Sequence, residues 1–164
     1  MILYRKIKSL KANQGGFTLI ELLVVIGILA ILLAVTLIAI NPNKHFQDSR
    51  NAQRQSNVSA ILDAIYEYES ANNGKIPPTI SGVTSTPVEI GLGTLKVDLC
   101  SDLSPTYLAD MPFDPSAGTV TGGSTPCAIG VTAYDSGYTI GVSNGRFTVA
   151  APHAEDGATI SVTR

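Results

Sequence analysis

Gly15-Gly16-Phe17-Thr18-Leu19-Ile20-Glu21 opens an apolar run of 24 residues, Phe17 to Ile40, in which Glu21 is the single charge. At 1.5 Å per residue such a run makes a helix of about 36 Å, enough to cross a bilayer. A carboxylate inside hydrocarbon costs roughly 2.5–3.5 kcal/mol at the centre of a span and less near its end. Glu21 therefore marks function and requires a partner. A plain anchor helix would account for neither Glu21 nor the glycine pair before it.

Charge is distributed unevenly around this run. Residues 1–16 carry Arg5, Lys6, Lys8 and Lys11 and no acid, whereas the remainder has seven Lys/Arg against thirteen Asp/Glu, a net charge of −6. Cations ahead of a span hold that end in the cytoplasm, so the C-terminal part is expected outside. Lys44, Arg50 and Arg54 follow the span but are diluted by Asp48. A cleaved secretory signal fits poorly, because its apolar core is about 7–15 residues long and is followed by a small-x-small site. Here Ala30, Ala34 and Ala39 are not spaced by two.

A short basic leader ending in glycine, followed by Phe-Thr-Leu-Ile-Glu-Leu-Leu-Val-Val-Ile, resembles the N-terminus of type IV pilins and of the related type II secretion pseudopilins. The resemblance implies that a prepilin peptidase cuts between Gly16 and Phe17 and N-methylates Phe17. It also implies that Glu21 meets the Phe17 amine of a neighbouring subunit in a filament. The motif covers about ten residues; the rest of the chain is similar to the family in layout. The fold implied is α+β and lollipop-like, with a long N-terminal helix packed on a small antiparallel sheet of three to four strands.

The residues beyond the span agree with that layout. Asn41-Pro42 interrupts the apolar run, and a bend is expected at Pro42 because proline removes a helical hydrogen bond and crowds the preceding turn. Val58, Ile61, Leu62, Ile65 and Tyr68 then follow i, i+3, i+4, i+7 spacing, with Gln55, Ser59, Asp63, Glu67 and Ser70 on other faces. Asn73-Gly74 and Pro77-Pro78 are stop signals. The expected organisation is a leader over 1–16, a membrane or filament-core half-helix over 17–40, an amphipathic half over 41–74, and a head over 75–164. At this length the chain holds one soluble domain beside its span.

Within the head, Tyr138, Ile140 and Val142, then Phe147 and Val149, then Ile160 and Val162 alternate as strand residues. Asp135-Ser136-Gly137 and Ser143-Asn144-Gly145 read as hairpin turns, giving an antiparallel meander over 128–163. Residues 79–126 are rich in turn formers, with short apolar pieces at Val88–Leu92 and Leu95–Leu99. Two cysteines, Cys100 and Cys127, lie in this external part. An even count in an exported domain points to one disulfide, contributing roughly 3–4 kcal/mol by loop-closure entropy. Two free thiols and a metal pair are the alternatives, though a zinc site lacks histidines nearby.

Other chemistry is sparse. Gly141-Val142-Ser143-Asn144-Gly145 matches G-x-S-x-G, with His153 and Asp156 downstream, but a nucleophile elbow needs a strand-to-helix turn and these residues bridge two strands. No enzyme is expected. Asp110, Asp114 and Asp135 are the weak candidates for calcium, which major pseudopilins bind in a head loop, but their spacing fits no calcium-loop motif, so no cofactor is expected. The head has four cations against eight acids, net −4, which gives no footprint for nucleic acid.

The chain is thus expected to be a structural subunit, a prepilin polymerised into a pilus for adhesion, motility or uptake. A pseudopilin or minor pilin is the alternative within the resemblance, and a non-polymerising single-span binding protein is the alternative outside it. The implied partners are other copies or other pilins, the peptidase, an inner-membrane assembly platform, and the membrane before assembly. The implied location is the cytoplasmic membrane, single-pass and N-in, and afterwards an extracellular pilus or periplasmic pseudopilus.

Overall fold

A computed structural model describes residues 15–164, so the leader up to Gln14 lies outside the described residues. The chain divides into two units, residues 1–42 and 43–164, each considered by itself.

The first unit contributes helix α1, Leu19–Ile40. All described side chains from Leu19 to Ile38 are exposed, which in water would be untenable for so large an apolar surface. Its 22 residues span about 33 Å, sufficient for the hydrocarbon core of a bilayer. Its one internal hydroxyl, Thr36 Oγ1, donates to Leu33 O at 2.9 Å, so no polar group of the helix interior is left seeking water.

Helix α2, Pro42–Ala71, belongs from Asn43 onward to the second unit. The helical run is interrupted at Asn41, with α1 ending at Ile40 and α2 beginning at Pro42. Asn41 takes a left-handed conformation at φ 41°, and Pro42 is the first residue of the next helix. Proline suits that position because the N–H it lacks would have no helical partner there. The helix ends where the sequence indicates: Asn73 (φ 57°) and Gly74 (φ 79°) are left-handed, and Gly74 N donates to Glu69 O at 2.9 Å, closing the last turn.

The stripe on α2 is buried as expected. Val58, Ile61, Leu62 and Ile65 have no accessible surface and join one core with Ile90, Tyr138, Ile140, Phe147 and Val149. Tyr66 meets Phe147 edge-on at 6.2 Å between ring centroids, and Tyr68 meets Tyr107 at 5.3 Å. α2 packs on the sheet as the lollipop-like layout implies, and from Asn43 onward the two form one compact unit.

The sheet is larger than three or four strands, and it is mixed. After a 3-10 turn at Pro78–Ile80 come β1 (Val88–Leu92), β2 (Lys96–Val97), the short helix α3 (Cys100–Leu103), β3 (Thr119–Thr121), β4 (Ala133–Ser143), β5 (Arg146–Ala151) and β6 (Ile160–Thr163). The order is β2-β1-β4-β5-β6, with β3 also paired to β4. β1 and β2 are parallel and the other pairs antiparallel. The β4–β6 meander follows the alternation in the sequence, and Asn144 (φ 53°) and Gly145 (φ 72°) make its first turn. β1 and β2 come from the two short apolar pieces noted above, and β3 from a segment read as loop.

Asp135-Ser136-Gly137 is not a turn but part of β4. Across from β1 the register passes from Glu89↔Thr139 to Gly91↔Asp135, so extra residues of β4 bulge opposite Ile90. Gly137 supplies the positive φ, 74°, that the bulge requires. The bulge lies where the other edge of β4 changes neighbour, from β3 (Ala133–Asp135) to β5 (Thr139–Ser143).

Candidate processing and assembly site

Gly15 and Gly16 lie in exposed, irregular backbone with open space around each Cα. Phe17 is exposed and Thr18 is the N-cap of α1. Thr18 and Glu21 close a capping box: Glu21 N donates to Thr18 Oγ1 at 3.2 Å, and Thr18 N donates to Glu21 Oε2 at 3.1 Å. Thr18 Oγ1 also donates to Oε2 at 2.9 Å. Two otherwise unpaired helix N–H groups are thereby satisfied.

Glu21 thus has a local partner that the expectation of a purely intersubunit role did not include. The signal was present, because Thr-Leu-Ile-Glu ahead of an apolar run is the capping-box pattern. Among the described residues no donor reaches Glu21 Oε1, so one oxygen stays open to a second partner. A cut between Gly16 and Phe17 would leave the box whole, since Thr18 N would remain an amide. The new amine would stand one residue before it.

In the second unit, Arg54 and Asp114 side chains are fully buried and paired, Nε to Oδ2 at 2.6 Å and Nη2 to Oδ1 at 3.1 Å. Asp114 Oδ1 further accepts from Ser116 N and Ala117 N. Burial alone would raise the Asp114 carboxyl, but Arg54 and these N–H donors hold it at about 2. Glu155 is likewise lowered to about 2, chiefly by Arg50 and then by Arg54. Arg50 forks its carboxylate, Nε to Oε2 and Nη2 to Oε1 both at 2.6 Å. Pairing with Asp114, and after it with Glu155, raises Arg54 further into its charged range. Asp114 N donates to Ser136 O at 2.7 Å, so the bulge of β4 positions the carboxylate for α2. Sequence reasoning missed this cluster, although Arg54 stands on the stripe of Val58, Ile61 and Ile65, where a charge demands a partner.

Cys100 and Cys127 are joined in a disulfide with Cα atoms 5.3 Å apart. The three aspartates considered for calcium are not brought together. Asp114 is held by Arg54, Asp135 pairs with Lys96, and Asp110 Oδ1 accepts from Met111 N and Cys127 N. Among the described residues no group of three or more His, Cys, Asp or Glu is placed to hold a metal ion. Ser143 sits at the β4–β5 turn, and Asp156 is engaged by Lys44. A cavity of about 360 Å³ between Gln53, Asn57, Met111, Phe113 and Pro126 is lined by one ionisable group, Asp110, and one hydroxyl, Thr125.

The long apolar helix with its capped carboxylate and the appended α+β body fit a single-span, membrane-anchored protein. Residues 11–37 match the family model described as the prokaryotic N-terminal methylation motif. The chain carries, in that segment, the class III signal peptide of type IV pilins and pseudopilins. No curated protein and no solved structure matches the chain.

Proposed function

We propose that the chain is a prepilin, cleaved between Gly16 and Phe17, N-methylated on Phe17, and polymerised through α1 into a pilus filament. The observation that carries this is the conjunction of an exposed Gly-Gly segment, an α1 whose single charge is Glu21, and a Glu21 oxygen without a donor among the described residues, at a matched methylation motif. The chemistry is done to the protein by a peptidase in the membrane. Assembly buries α1 against other copies, which removes its apolar surface from lipid without exposing it to water. In the dry core the Phe17 amine of one copy neutralises Glu21 of the next. Because desolvation offsets most of the attraction, this pair sets register more than it adds stability.

Intact mass and N-terminal tandem mass spectrometry, on sheared surface material and on membranes, tests the proposal. Sheared material beginning with N-methyl-Phe17, lighter by two hydrogens for the disulfide, supports a pilus subunit. The same mature chain confined to membranes moves the reading to a pseudopilin or minor pilin. A chain still carrying Lys11 overturns processing and leaves a non-polymerising anchored protein.

A further inference from the structure

The first three turns of α2 are joined to the rest of their unit in a way unlike the remainder of the helix. The first buried side chain of α2 is Arg54; residues 42–53 add nothing to the apolar core, and Phe46 is exposed. What holds this stretch is the loop between β5 and β6. Asn51 Nδ2 donates to Glu155 O at 2.9 Å, and Glu155 N donates to Asn51 Oδ1 at 3.0 Å, a reciprocal pair like a rung of sheet. Arg50 forks the Glu155 carboxylate, Arg54 adds Nη1 to Oε2 at 2.8 Å, and Lys44 pairs with Asp156. Both backbone polar groups and both carboxylate oxygens of Glu155 are thus taken up by α2.

We propose that the 152–158 loop is a polar clasp, and that residues 43–53 of α2 open from it as a unit while the core beyond Val58 stays closed. Polar contacts at a surface compete with water for the same groups, so their net contribution is small beside that of buried apolar side chains. The free energy of local opening should therefore change sharply near Arg54, low before it and high after it. This gives the chain a second joint near Arg54, distinct from the break at Asn41 and thirteen residues beyond it. The device does not depend on polymerisation and would operate equally in an anchored monomer.

Hydrogen–deuterium exchange of the full chain in detergent micelles, read by mass spectrometry for peptides covering 43–53 and 58–65, tests it. Glu155→Ala and Asn51→Ala are the variants. Asn51→Ala raises intrinsic helix propensity, so faster exchange there cannot come from a weaker helix. The expected result is at least tenfold faster exchange over 43–53 in both variants, with 58–65 unchanged. Unchanged exchange over 43–53 in Asn51→Ala overturns the clasp. Equal acceleration over 58–65 in Asn51→Ala overturns the separate joint, because the loop would then be supporting the core.

Discussion

Arg54 and Asp114, sixty residues apart in the chain, are each fully buried and hold one another through two hydrogen bonds. The pair joins α2 to the segment before β3, and the bulge of β4 fixes the acidic partner from below. Breaking such a pair leaves a charge without solvent or counter-ion, which costs about 3–5 kcal/mol. Asp114→Ala and Arg54→Met are each expected to destabilise the protein by that order, measured by denaturant unfolding in detergent. Combined, they should cost clearly less than the sum of the two, the signature of a direct interaction.

The same cluster predicts the acid limb of stability. Asp114 and Glu155 titrate near 2 when folded, below the ordinary carboxylate range. A group lowered on folding stabilises the protein above its unfolded pKa, and loses that contribution as the pH falls through the folded value. The melting temperature should therefore be flat with respect to these groups above about pH 5, and fall between about pH 4 and 2. Glu155→Gln should make that fall shallower; an unaltered acid limb would show that the pairing is absent in solution.

Gly137 and Gly145 form a matched test of the bulge. Both have positive φ, 74° and 72°, so alanine at either position incurs the left-handed penalty of about 1–2 kcal/mol. A Cβ at Gly145 meets open space, whereas one at Gly137 falls 2.7 Å from Asp114 Cβ. Gly137→Ala should cost at least about 1 kcal/mol more than Gly145→Ala, since overpacking adds its own penalty. Equal losses in Tm would mean that the Asp114 segment does not rest on the bulge.

Glu21 has two separable roles, cap and charge. Gln in its place keeps the capping box, while Ala removes both cap and charge. On the proposed function, Glu21→Gln and Glu21→Ala should both be processed to Phe17 and both yield few filaments by shearing and immunoblot. Abundant filaments from Glu21→Gln would assign the residue to helix capping alone.

Features whose signal is local were legible in the sequence. The apolar run, the Val58–Ile65 stripe, the alternation in β4 to β6, and the Asn73-Gly74 stop each depend on neighbours within a turn or a strand. β2 and β3 have two and three residues, too short for any period, and exist because β1 and β4 offer them backbone partners. Asp135-Ser136-Gly137 has turn composition, and only its pairing with β1 shows that it bulges instead. Arg54 could be placed on the buried face, but nothing local singles out Asp114 among eight acids of the head. At the candidate processing site, Gly16, Phe17 and Glu21 are singled out by motif resemblance, whereas the Thr18–Glu21 box is legible from its own spacing.

The sheet's outer boundaries carry a last consequence. β4, the longest strand, has neighbours on both sides, and the flanks left bare among the described residues belong to β2, β3 and β6, of two, three and four residues. Such short rims offer too few consecutive amide and carbonyl groups to template a strand from another molecule. The folded body of the second unit is therefore shielded from amyloid-like stacking through the rims of its sheet.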